Sequence, residues 1–410
     1  MNDTFGNGVT AASHSALHRY EGAADAHLHA WPGVMESITD ALEEDPAFAL
    51  AFALKALVHV GRGEGHCARE AVEQAQAHSR HALSREQSHV ELVTAIVQGR
   101  AHDALTKVID HAHRYPTDVL SASTAVGAYG LFAFSGRADH DAARLAFVEA
   151  LAPHFSDDFA WLMAYRGWAR IEMGQVDEGL VMARRAIALR PDNAHNAHIV
   201  MHGLFESSQP SASIAFLDGW LPGYPDHALM WGHLHWHAAL AEIELGLLDA
   251  AVTRLVGPIA ANLPRGTPFM GLADTASLLW RLGQLGAQGL PWQMAQEHAK
   301  QYFPNGSNVF GELHLTMLAV ARGDRPALVA ALQRLHTISE RGHAGAPVAM
   351  LWAQALIALL DGDSVSAREH LAACSERAVS LGGSHAQRGV VEQTRNVLRL
   401  PISLAATLRL

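Results

Sequence analysis

Two short stretches place histidines where they can act together. Residues 195–206 read HNAHIVMHGLFE and residues 233–237 read HLHWH. His198 and His202 are spaced i, i+4, as are His233 and His237, so each pair lies on one helix face about a turn apart. His233 follows His198 by 35 residues and His237 follows His202 by the same 35. In an array of helix pairs the equivalent helices stand side by side, so the four imidazoles are expected to converge. Four imidazoles suit a divalent cation, Zn²⁺ first, with Fe²⁺, Mn²⁺ or Ni²⁺ as alternatives. Two carboxylates are candidates to complete or orient the set: Asp274, 37 residues after His237, and Glu206, one turn beyond His202. His195 and His235 fall off that face and are assigned to the surroundings or the surface. A single such pair is more simply a packing feature; two pairs at one spacing favour a metal or proton-transfer site.

The elements that must carry these residues are helices. Ala and Leu recur at i, i+3, i+4 throughout, and alternating β-branched runs with tight turns do not. The stretch WARIEMGQVDEGLVMARRAIALRPDN (168–193) shows the unit: one helix ends at Gly174, a second starts near Val176, and Pro191 closes the pair. Ala183 and Ala186 supply small residues for close packing. This is the pattern of a tetratricopeptide repeat, a helix-turn-helix of ~34 residues. The same Gly-to-Pro distance of 17 recurs at Gly136 and Pro153, Ser208 stands in for glycine before Pro225, and Gly246 precedes Pro264. The turn positions 136, 174, 208 and 246 step by 38, 34 and 38 residues. Further pairs are legible around Gly323 and Gly362 and through ITDALEEDPAFALAFALKAL (38–57). The expected fold is all-α, a TPR-like helix-pair solenoid curled around a central pocket, with residues 1–410 as one domain.

Composition narrows the function classes. The formal charge of -11 and pI near 6.2 argue against nucleic acid as a partner, because counterion release needs a basic surface. Two cysteines, Cys67 and Cys374, indicate neither a disulfide framework nor a thiolate zinc site. The N-terminal stretch lacks a basic start followed by an apolar segment, and no apolar run approaches the ~20 residues of a membrane span. A cytoplasmic protein without membrane partners is expected, with a homo-oligomer allowed. DAHLHAW (25–31) has the D-x-H-x-H form of amidohydrolase metal sites, but that chemistry needs a barrel strand, and His27 and His29 are assigned to the first helix.

GGSHAQR (382–388) carries a physical signal of its own. Ser384 and Gln387 form a capping box, S-x-x-Q, that starts the final helix. His385 then sits at a helix N-terminus, where the dipole favours neutral imidazole, a usable base or ligand. Arg388, one turn in, can hold an anionic group bidentately. A loop that only closes the solenoid is the competing reading.

DTASLLWRL (274–282), FGELHLTMLAVARGD (310–324), HLHWHAALAEIELG (233–246) and GGSHAQRGVVEQT (382–394) together resemble the tetratricopeptide repeat protein 38 family, over about Leu42 to Leu398. The resemblance covers His198, His202, His233, His237, Asp274, His314 and His385. The chain departs from the family at Phe52, where a histidine is usual, at His235 for asparagine, at His195 for tryptophan, and at Gly389 for aspartate. Members like this one occur in bacterial specialised-metabolite clusters, including those for azapteridine antibiotics, and the resemblance implies a metal-dependent redox role.

These readings combine into an expected enzyme acting on a small, nitrogen-rich metabolite. His198, His202, His233 and His237 hold the metal, with Asp274 or Glu206 as fifth ligand or orienter. His314 and His385 provide acid/base chemistry or substrate contacts, and Arg388 the anion clamp. Trp161, Tyr165, Trp236 and Trp280 are candidates to stack a flat heterocycle. Oxidation is the expected reaction and metal–water hydrolysis the alternative. The competing class is a peptide-binding scaffold, the usual role of such arrays; scaffolds that clamp acidic C-termini line the groove with Lys and Arg, whereas this one offers His, Trp, Asp and Tyr.

Overall fold

The computed structural model describes residues 1–399. Among them the chain is all-α, built from successive helix pairs, and the sole β feature is an isolated bridge between Asn2 and Gly8. No helix is long and apolar enough to cross a membrane.

The unit read from the sequence is present as expected. Helices Ala160–Glu172 and Val176–Leu189 pack as a hairpin around Gly174, whose φ of 80° lets the first helix stop in a left-handed turn. Small residues set how closely the two helices approach. A Cβ added at Gly167 would sit 2.8 Å from the carbonyl oxygen of Gly179, and Ala183 and Ala186 are fully buried. Gly246, Gly323 and Gly362 also adopt positive φ between paired helices. Ser208, the stand-in, adopts φ 52° although it carries a side chain. In the pair after Gly246 the second helix is interrupted: Leu255–Ile259 is a π-helical turn with Pro258 inside it and non-helical angles at Gly257.

The chain forms two compact units, interleaved in sequence. The first comprises Met1–Phe132, Asp141–Gly203 and Gly223–Met230; the second comprises Ala133–His140, Leu204–Pro222 and Trp231 onward. In the first unit Phe48, Leu50, Leu54, Leu92 and Trp168 are almost wholly removed from water. There the Tyr224 hydroxyl donates to Ala30 O at 2.7 Å and accepts from Met230 N at 3.2 Å, tying the short 223–230 segment to the end of the first helix. The second unit holds a core around Trp280, Met317 and Trp352 and another around Trp236, Leu255 and Leu279. Its 133–140 segment is held by distant residues: His343 Nε2 lies 3.3 Å from Phe134 O and His140 Nε2 lies 3.0 Å from Val379 O.

His27 lies in the first helix, His14–Leu28, and His29 caps it, so the DAHLHAW stretch is a helix end.

Candidate functional site

The two histidine pairs fall in different units. In the first unit, His198 and His202 are buried on the helix Ala194–Glu206. The i, i+4 spacing brings their Nε2 atoms to 3.0 Å, with the rings nearly perpendicular. Trp168 packs against both rings, at 6.0 Å from His198 and 4.4 Å from His202.

In the second unit, His233 and His237 are buried on the helix Trp231–Glu244, ring centroids 4.9 Å apart. His233 Nδ1 donates to both oxygens of Asp274, at 3.0 and 2.9 Å. Asp274 sits on the helix Pro268–Gln284, whose first turn is capped by the Thr267 hydroxyl accepting from Met270 N. Burial pushes the Asp274 carboxyl up, and the adjacent His233 ring opposes that. The contact fixes the imidazole tautomer and leaves Nε2 as the ring's ligand or acceptor atom. His235, placed by the sequence off the ligand face, is buried and accepts from Arg254 Nη1 at 3.1 Å.

Glu206 has a different partner from the one the sequence suggests. Its two carboxylate oxygens accept from His385 Nδ1, each at 2.8 Å, across 179 residues of chain. His385 itself is largely exposed. It opens the helix His385–Arg399, started by the expected capping box: Ser384 N donates to Gln387 Oε1 at 2.9 Å and Gln387 N donates to Ser384 Oγ at 3.3 Å. Beside it, Phe205, Gly389, Gln393, Asn396 and Val397 line an open cleft of about 540 Å³.

The remaining expected residues serve local structure as well. Arg388, assigned to anion binding, is buried and donates through Nη1 to Gly383 O at 2.6 Å, holding the Gly-Gly turn. His314 is wholly buried on Val309–Ala321, a helix capped by Asn308. Its Nδ1 lies 2.8 Å from Phe310 O, and burial pushes the imidazole down to about 4, so it is neutral near pH 7. Of the four aromatic candidates, Trp236 and Trp280 are fully buried core residues. Their indole N–H groups donate to Ser277 Oγ and Thr394 Oγ1, and Trp236 stacks on His233. Both rings are thereby spoken for by packing. Trp161 and Tyr165 are buried against each other at 5.0 Å.

One cluster escaped the sequence reading. In the first unit the buried Oδ2 of Asp118 meets Arg85 Nη1 at 2.5 Å, His89 Nδ1 at 3.1 Å and His111 Nε2 at 3.1 Å. Three of these groups are metal-ligand types within 4.8 Å of one another. The Arg85 guanidinium already supplies a cation on the same oxygen, and Arg85 Nη2 also donates to Gly8 O. A divalent ion would have to displace or repel it, so the knot is structural. The i, i+4 spacing of Arg85 and His89 was the available signal; Asp118 joins them only through the fold.

Fold and residues together define the class: a helical-repeat protein carrying buried imidazole pairs and a carboxylate-held histidine at an open cleft. No family model matches the chain. Among solved structures it is similar to a chain of the structure of Naa15/Naa10 bound to HypK-THB, at 10% sequence identity and a TM-score of 0.23. The match covers 96% of this chain and 62% of that one, so this chain spans less than two thirds of its length.

Proposed function

We propose that this protein is a metal-dependent enzyme acting on a small molecule, of the kind its resemblance to the tetratricopeptide repeat protein 38 family implies. The observation that carries the metal is the His198–His202 pair. Two nitrogens each ~2.1 Å from one ion lie about 3.0 Å apart at a right angle and about 3.4 Å apart at a tetrahedral one. The observed 3.0 Å between buried Nε2 atoms fits that range. His233, with Asp274 on its Nδ1, has the carboxylate–imidazole arrangement that orients a metal-bound histidine. A bound divalent cation would supply Lewis acidity, or redox chemistry if it is iron or manganese.

The proton chemistry belongs to His385. Glu206 holds the Nδ1–H, and His385 lines the cleft. Oxidation of a nitrogen-rich metabolite is what the resemblance implies, and the Glu206–His385 contact supports a proton-accepting role for His385.

Elemental analysis of untagged protein purified without chelator tests the reading. We expect bound divalent metal, with His198→Ala/His202→Ala and His233→Ala/His237→Ala double variants that remain helical each losing the metal held by the removed pair. Metal-free wild-type protein, or unchanged metal content in both variants, overturns it.

A further inference from the structure

The cleft beside His385 has a buried cation behind its wall. Arg281 is only 6% exposed. Its Nη1 donates to Gln393 Oε1 at 3.1 Å and its Nη2 to Ala386 O at 2.8 Å, while Nε has no hydrogen-bond partner among the described residues. Its hydrogen-bond partners are therefore neutral. Burial pushes the guanidinium down to about 10, and nearby Glu244 offsets this only in part. A buried charge hydrogen-bonded only to neutral groups is costly, and an anion brought within reach repays part of that cost.

One residue of the cleft wall lies against this guanidinium. Gly389 lines the cleft, and a Cβ built on it would stand 3.7 Å from Arg281 Nη2 and 4.0 Å from Nη1. The missing side chain leaves room for a ligand atom where a residue's own side chain would otherwise stand. Phe205 and Val397 give the same cleft an apolar wall, and Gln393 and Asn396 give it amide groups. Glu392 also lines the cleft and Glu206 bonds His385 in it, so a dianion is opposed more strongly than a monoanion.

We propose that this cleft binds a monoanionic carboxylate with a flat apolar body, its carboxylate over Gly389 facing Arg281 and its body against Phe205 and Val397. His385, which lines the same cleft, is then beside the bound molecule. The inference rests on the function proposed above for the proton taken, and stands apart from it for the binding.

Calorimetric titration of the full-length, metal-replete protein with benzoate and with benzamide, its uncharged counterpart, tests it. Benzoate should bind at least tenfold more tightly. Gly389→Asp sets a resident carboxylate in front of Arg281 and should abolish the preference, with helicity and metal content unchanged. Arg281→Gln should equalise the two probes if it folds. Equal affinity for both probes, no binding of either, or a preference retained in Gly389→Asp overturns the proposal. A benzoate preference in a protein without metal would leave this inference in place and remove the metal-dependent reading.

Discussion

Asp274 shows how one buried side chain serves two levels of the structure. Both of its oxygens face His233 Nδ1, and the ring in turn stacks on Trp236 at 5.4 Å, so the imidazole is locked from two sides. Asp274→Asn keeps the size of the side chain and weakens the acceptor. We expect metal affinity to fall about 10–100-fold with the fold intact, measured by competition with a chromogenic chelator; unchanged affinity would remove Asp274 from the site. A second residue-scale effect is pH dependence. Burial pushes the imidazoles of His111 and His314 down, the latter to about 4 from an ordinary 6.5. In the unfolded chain both titrate near 6.5, so below that pH unfolding takes up protons that the native state refuses. Their contribution to stability is complete above pH 6.5 and declines as pH falls toward about 4. Urea midpoints measured at pH 7.5, 5.5 and 4.5 should decrease in that order, and His314→Gln should flatten the trend. An equal slope in that variant would show that other groups control it.

Helix pairs were the most legible level, because each turn leaves a chemical mark. Glycine at 174, 246, 323 and 362 marks positive φ, and each of these positions has it. Ser208 was located by period alone, and its φ of 52° shows that the period described the backbone better than residue type did. A non-glycine residue in that conformation is strained by about 1 kcal/mol. Ser208 is also exposed, so Ser208→Gly should stabilise the protein by about that amount in denaturant melts, the gain reduced by the added freedom of the unfolded chain. A loss of stability would mean that the serine side chain has a role there. The i, i+4 histidine pairs were legible for the same reason, since the helix itself supplies the 3.0 Å approach of His198 and His202. Partnerships between elements were not. Glu206 follows His202 by one turn and its spacing suggests a metal ligand or orienter, yet it bonds His385, 179 residues away. Nothing local in either segment encodes that distance. Likewise Trp236 and Trp280 have the composition of a stacking surface, and only the packing assigns their rings to the core.

For the molecule as a whole, the repeat period suggests a continuous array, and the chain's segments fall in two compact units. Each draws on three separate stretches of sequence, so no single cut yields either one intact. The consequence is one of timing during synthesis. The first unit lacks its Tyr224 tie to Ala30 until residues 223–230 have emerged. By then the 133–140 stretch is already outside the ribosome, while its partners His343 and Val379 lie 209 and 239 residues further along than Phe134 and His140. At roughly 5–20 residues per second, that stretch waits on the order of 10–50 s for the contacts that will cover it. For that time the stretch is without these two contacts, and a nascent chain in that state is exposed to aggregation.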